Sequence, residues 1–343
     1  MKKILSLCIF FGMASSSFAQ VTSRLVHDGF ILNPPPVPTA HASTITELPN
    51  GDMLAAWFGG TEERAKDVCI YTAVFSKGKW SKPVNVANGI INSKTRYATW
   101  NPVLFHTRAG KLILFYKIGP SPSEWWGAMK YSKDNGRTWS KEELLPKGFL
   151  GPVRNKPIQL ANGNLLHPSS TESLDNKKWE IHMEISDSTG HNWRKIAIDC
   201  DTFGVIQPSI LIHPNNRLQL VCRSRQNAIV ETWSDDQGET WSPLRKQVTM
   251  NPNSGIDAVT TASGLHVLVY NPTKKGGEWS DGRNILRVAT STDGQHWSDV
   301  YELEKHPDGE YSYPAIIQSR DGLLHITYTY DRKNIKYVSL ELK

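Results

Sequence analysis

The sequence predicts an all-β fold, a six-bladed β-propeller, and three observations carry that prediction. The first is a repeated unit. Ser132-Lys133-Asp134-Asn135-Gly136-Arg137-Thr138-Trp139 reads S-x-D-x-G-x-x-W, and it returns as Ser234 to Trp241. Worn copies run from Ser186 to Trp193, where Ser188 replaces the Asp, and from Ser291 to Trp297, one residue shorter; Ser76 to Trp80 is a stub. The second is a polar turn followed by a β-rich run, present six times: at Asn50-Gly51, Ala109-Gly110, Asn162-Gly163, Asn215-Asn216, Ser263-Gly264 and Asp321-Gly322. The third is spacing. A period of roughly fifty residues with four short strands each describes propeller blades, and no segment sustains a helical period.

The first element in the chain is a leader. Lys2 and Lys3 form a charged n-region, residues 4–13 an apolar h-region, and Ser17-Phe18-Ala19 a small-residue cleavage site. Residues 1–19 are therefore expected to be a signal peptide cleaved near Ala19. Leu7 before Cys8 is bulky where a lipoprotein signal needs a small residue. A periplasmic or secreted protein without a lipid anchor is expected, with no membrane insertion. Residues 20–343 hold no linker or low-complexity stretch and are expected to form one propeller. Beyond the leader stand Cys69, Cys200 and Cys222, an odd and sparse set that is no disulfide framework. No metal-ligand spacing or phosphate loop is present, so no cofactor and no nucleic acid are expected. The formal charge of +6 loses Lys2 and Lys3 with the leader. The mildly basic remainder permits an anionic partner.

Each six-fold turn reads as the hairpin between a first and a second strand. Asn101-Pro102, Lys156-Pro157, Gln207-Pro208 and Tyr313-Pro314 stand where first strands begin. Pro is tolerated there because no ladder donor is lost. In the S-x-D-x-G-x-x-W unit, Ser and Asp bond nearby backbone N–H groups and Gly supplies a φ > 0 corner. The Trp folds beneath as an apolar plug. Such units are scaffold. Six hairpins against five Trp units imply that the sixth blade closes differently: the strand near residues 21–30 is expected to pair with the C-terminal strand around residues 334–342.

The Trp units are Asp-boxes, and the chain resembles the sialidase (neuraminidase) superfamily of six-bladed propellers. The stretch His41-Ala42-Ser43-Thr44-Ile45 through Trp57-Phe58-Gly59-Gly60-Thr61-Glu62 is similar to its BNR-repeat, sialidase-like exported branch. Propeller geometry brings the starts of the first strands to one mouth of the central channel. Those residues are His41, Trp100-Asn101, Arg154-Asn155-Lys156, Gln207, Asn253-Ser254 and Tyr311-Ser312-Tyr313. The loop from Gly59 to Asp67, with Glu62, Glu63 and Arg64, is expected to overhang this mouth, and Arg223 and Arg225 to point toward it.

The resemblance implies a Tyr nucleophile, a Glu that activates it, an Asp acid and three Arg that hold a substrate carboxylate. Tyr313 matches the nucleophile, Asp67 the acid with Glu62 and Glu63 as competitors, and Arg223 the fourth-blade Arg. The sequence departs from the pattern elsewhere. His41 stands in the region of the first-blade Arg, Gln207 replaces the activating Glu, and the last Arg is either Arg283 or Arg287. Trp125-Trp126 suits sugar stacking or capping of the channel rim. A monomeric exo-glycosidase acting on an acidic oligosaccharide or glycan is the expectation. A uronate lyase using His41 or a Tyr as base, and a non-catalytic glycan-binding propeller, are the alternatives.

Overall fold

All six polar turns reverse the chain between two antiparallel strands in the computed structural model, which describes residues 21–343. The expected leader lies outside the described residues. Blade one is built from Thr39–Glu47, Met53–Gly60, Cys69–Ser76 and the short outer strands Lys79–Trp80 and Val84–Ala87. Blade two has Thr99–His106, Leu112–Ile118, Trp126–Ser132 and Glu143–Leu144. Blade three has Ile158–Gln159, Leu165–Glu172, Trp179–Ser186 and Arg194–Ala197. Val205–Ile212, Leu218–Ser224, Ala228–Ser234 and Arg245–Met250 make blade four; Asp257–Thr260, His266–Tyr270, Ile285–Ser291 and Ser298–Lys305 make blade five. Blade six combines Tyr311–Gln318, Leu324–Tyr330 and Asn334–Leu342 with the N-terminal strand Ser23–Phe30. Ser23 lies opposite Leu342 and Phe30 opposite Lys336, so the ring closes as the turn count implied. Among the described residues the one helix is the 3₁₀ turn Pro214–Asn216.

The second strands carry the core. Met53–Gly60, Leu112–Ile118 and Leu218–Ser224 are buried at every position, because both faces of each blade press on a neighbour. Asp-box turns join the blades at their outer edge. Ser132 Oγ accepts from Gly136 N at 2.9 Å, and Asp134 accepts from Thr138 N at 2.8 Å and its hydroxyl at 2.6 Å. The second copy repeats this at Ser234, Asp236 and Thr240. Gly136 has φ 81°, and a Cβ there would stand 2.9 Å from Leu54 of blade one. Gly238 meets Leu166 of blade three in the same way. Each turn thus rests on the preceding blade, with its Trp half-buried beneath it.

A second ring of special backbone surrounds the channel mouth. Ala42, Asn101, Arg154, Gln207, Asn253 and Tyr313 have φ of 49°, 41°, 92°, 55°, 59° and 51°. In four blades the strand register slips at this level, between His41 and Thr44, Ile206 and Ser209, Ser312 and Ala315, and opposite Phe115–Lys117. These are β-bulges, which bend a strand and re-aim its side chains. Left-handed backbone at a non-glycine residue costs on the order of 1–3 kcal/mol, and such residues cluster at functional sites.

Candidate active site

Tyr313 is the centre of the mouth. Its bulge lifts the ring off the strand and seats it over Gly255, where an added Cβ would come within 3.2 Å of the ring. His41 packs against the ring at 4.3 Å between centroids. Arg154, Arg223 and Arg283 place guanidinium carbons 5.4, 5.5 and 5.9 Å from the ring centroid. Arg223 Nη1 donates to the Tyr313 hydroxyl at 2.7 Å and to Gln207 Oε1 at 3.3 Å, while Nε donates to Asn253 Oδ1 at 3.1 Å. Residues of five blades therefore meet at one phenol.

A cavity of about 540 Å³ opens above Tyr313. Six cations line it, Arg64, Arg223, Arg225, Lys275, Arg283 and Arg332, against one carboxylate, Glu172. Trp179 and Trp279 form aromatic walls. Behind the wall, Glu310 bridges two of the arginines, accepting from Arg283 Nη1 at 2.9 Å and Arg332 Nε at 2.7 Å. Burial works against the Glu310 carboxylate, but Arg332 and Arg283 hold it below the usual range. Burial pulls the Arg283 pKa down, and the charge of Arg223 adds to this against Tyr313 and Glu310. The buried Nε–H of Arg283 has no acceptor among the described residues.

The structure separates the expected residues into groups. Tyr313, Arg223, Arg225 and Arg64 line the cavity. Arg225 is held by the carbonyl of Asn176 at 2.6 Å and lies over Trp179. Gln207 supports Arg223, and Asn155 supports Gln207, donating to its carbonyl at 2.9 Å. His41 and Arg154 form the floor beneath Tyr313. His41 shares a hydrogen bond with Thr329 at 2.9 Å, and burial, then the charges of Arg332 and Arg283, holds its pKa well below the ordinary histidine value. It is enclosed, and its surroundings favour the neutral imidazole. Arg154 Nη1 and Nη2 donate to Asn155 Oδ1 and the carbonyls of Pro314 and Ile256, and its buried Nε–H has no acceptor among the described residues. Burial lowers its pKa to about 10. Asn101 is buried at its bulge and does not line the cavity.

Other placements correct the sequence reading. Asp67 is exposed and closes its own loop, accepting from Thr61 N at 3.0 Å and its hydroxyl at 2.6 Å. That bond with Thr61 depresses its pKa, the opposite of what an acid needs. Glu62 is exposed and lines no part of the cavity, whereas its neighbour Glu63 pairs with Arg332. Lys156 sits deeper, 2.8 Å from Asp257, at a separate apolar cavity within the ring. Tyr311 is buried between His306 and Tyr330. Of the two candidate arginines, Arg283 converges on Tyr313, and Arg287 pairs with Asp299 and Glu302. Trp125 and Trp126 pack on Trp100 and Tyr97, so they cap the rim.

The comparisons place this architecture. The chain belongs to the BNR repeat-like domain family, whose model matches residues 51–326. No curated protein matches it. A protein of unknown function from Dyadobacter fermentans superposes with a TM-score of 0.75 at 16% identity, covering 94% of this chain and 99% of that one. The NanB sialidase of Streptococcus pneumoniae superposes at 0.71 with 14% identity, covering 92% and 70%. Trypanosoma rangeli sialidase gives 0.71 at 19% identity, covering 88% of this chain and 55% of that one. At these identities the likeness is one of fold.

Proposed function

We propose that this chain is an exported exo-glycosidase that removes a terminal acidic sugar, sialic acid or a related acid such as a uronate, from a glycan. The observation that carries the reading is the Tyr313 hydroxyl, held by Arg223 beneath a cavity lined by six cations and one carboxylate. Such a field selects an anion. Arg283 and Arg332 present planar donors suited to a carboxylate, and the free Nε–H of Arg283 gains a partner when one binds. Tyr313, backed by guanidinium groups, attacks the anomeric carbon. Trp179 and Trp279 offer faces on which sugar rings stack. The chain works as a monomer outside the cytoplasm.

One observation favours a second reading. Among the described residues no carboxylate reaches the Tyr313 hydroxyl; its hydrogen-bond partner is a guanidinium. A phenol in that setting also suits removal of the C5 proton of a uronate, with the arginines neutralising its carboxylate. Purified protein lacking residues 1–19 is incubated with a panel of acidic glycans and the released monosaccharide is weighed. A hydrolase releases the intact acid. A lyase releases an unsaturated uronate, lighter by one water and absorbing in the ultraviolet. Binding without release from any glycan would refute both.

A further inference from the structure

We infer that Glu172 is the catalytic acid that protonates the departing glycosidic oxygen, an assignment that rests on the glycosidase reading above. The inference starts from strand parity. Leu165–Glu172 is the second strand of blade three, and alternate residues share a face. Ser170 Oγ accepts from Gln207 N at 3.2 Å, which orients that face toward blade four. Glu172, two residues on and opposite Trp179 in the hairpin, ends the strand on the same face. It lines the cavity with Arg223 and Tyr313 and is the sole carboxylate among the described residues to do so. Glu310 is committed to Arg283 and Arg332, Glu63 to Arg332, and Asp67 to Thr61. Glu172 accepts no hydrogen bond from a described residue; burial raises its pKa, and the nearby charges of Arg223, Arg225 and Arg64 offset this only in part. An unbonded, partly desolvated carboxyl favours its protonated form, which is what an acid requires.

The step balances as follows. Tyr313 gives its hydroxyl proton to solvent water in the cavity, recovered from solvent when the phenolate is released, and its oxygen forms a bond to the anomeric carbon as the bond from that carbon to the bridging oxygen breaks. The electron pair of the broken bond passes to the bridging oxygen, which takes the Glu172 proton. In the second half, Glu172 carboxylate takes a proton from water, the water oxygen bonds to the anomeric carbon, and the Tyr313 phenolate leaves. Glu172 thus serves first as acid and then as base.

The test uses methyl and 4-methylumbelliferyl glycosides of sialic acid and of glucuronic acid with wild type, Glu172→Gln and Glu172→Asp. A methoxide leaving group needs the proton and an umbelliferyl one hardly does. Glu172→Gln is expected to lose at least about 100-fold in turnover of the methyl glycoside, the low end for a positioned acid. Formation of the covalent intermediate from the umbelliferyl glycoside, read as burst rate, is expected to change little. The basic limb of the pH profile disappears. Glu172→Asp restores part of the methyl-glycoside activity and the basic limb. If Glu172→Gln slows both substrates equally, or mainly raises KM, the residue is only a counter-charge to the arginines and the inference is overturned. A wild type inactive on all four substrates overturns the glycosidase reading and this assignment together.

Discussion

Tyr313→Phe separates chemistry from packing. It deletes one oxygen and keeps the ring, so the 4.3 Å contact with His41 and the seat on Gly255 survive. What is lost is the hydrogen bond from Arg223 Nη1 at 2.7 Å. A bond to a charged group contributes about 1.5–3 kcal/mol when its partner is stranded. Arg223 is not stranded, since Gln207 Oε1 and Asn253 Oδ1 remain within 3.3 and 3.1 Å. The stability cost is therefore expected near 1 kcal/mol, a shift in Tm of no more than about 2 °C in a chain this long. Turnover, in contrast, is expected to fall at least about 100-fold, the low end for a group acting on reacting atoms. KM should move little, because the arginines that hold the carboxylate are untouched. Calorimetry and steady-state kinetics on an acidic glycan cleaved by the wild type give both numbers. A variant that turns over at the wild-type rate refutes a Tyr313-centred mechanism, and with it both the glycosidase and the Tyr-based lyase.

Two further outcomes concern the scaffold. Trp139→Ala and Trp241→Ala are each expected to cost about 2–3 kcal/mol, less than a fully buried aromatic because both indoles are half-exposed; urea melts read this, and activity per folded molecule stays unchanged. Lys117 is wholly enclosed and donates to the carbonyl of Pro152 at 2.8 Å, and burial lowers its pKa to about 7. Between that value and the ordinary lysine range the unfolded chain holds a proton that the folded chain does not, so this residue makes stability rise with pH across the window. Lys117→Met removes that rise; an unchanged slope of urea midpoint against pH would count against the neutral buried lysine.

The scaffold was legible because its chemistry is local. Gly at a φ > 0 corner, Ser and Asp two residues apart, and Pro at a strand start each dictate geometry within a few residues, and six recurrences supplied the ring. The site was most legible where a residue's own regular strand decides its direction, as for Arg223. Tyr311 and Tyr313 show the limit. Two residues apart in a regular strand they would share a face, yet the slip between Ser312 and Ala315 and the φ of 51° at Tyr313 send one into the blade and the other into the cavity. Asp67 was misassigned because Thr61, six residues earlier, returns to meet it. Arg332, Glu310, Trp179 and Trp279 come from strand ends and loops that carry no repeat signal. Glu172 had one available signal, its parity with Ser170 at the inner end of a blade.

Glu310 links ring closure to the site, and its substitution tests whether the arginines are set for an anion. It stands at the start of blade six, 8% exposed, and holds Arg283 of blade five and Arg332 of blade six. Ser312 Oγ adds a third bond at 2.8 Å. Glu310→Gln leaves the buried Arg283 without its carboxylate and Arg332 with Glu63 alone, and breaking a buried bridge costs about 3–5 kcal/mol. The sign with pH follows from the depressed Glu310 pKa: its contribution is complete above the unfolded carboxylate value and vanishes as pH falls through the lower folded one. Wild type and Glu310→Gln should therefore converge in stability on acidification. An acidic sugar that bonds Arg283 and Arg332 supplies the missing charge. Saturating amounts are then expected to raise the Tm of Glu310→Gln by more than they raise that of the wild type. Equal rises would mean that the bound anion does not engage these two arginines, and the carboxylate grip would have to be assigned to Arg223 with Arg64 and Lys275 at the rim.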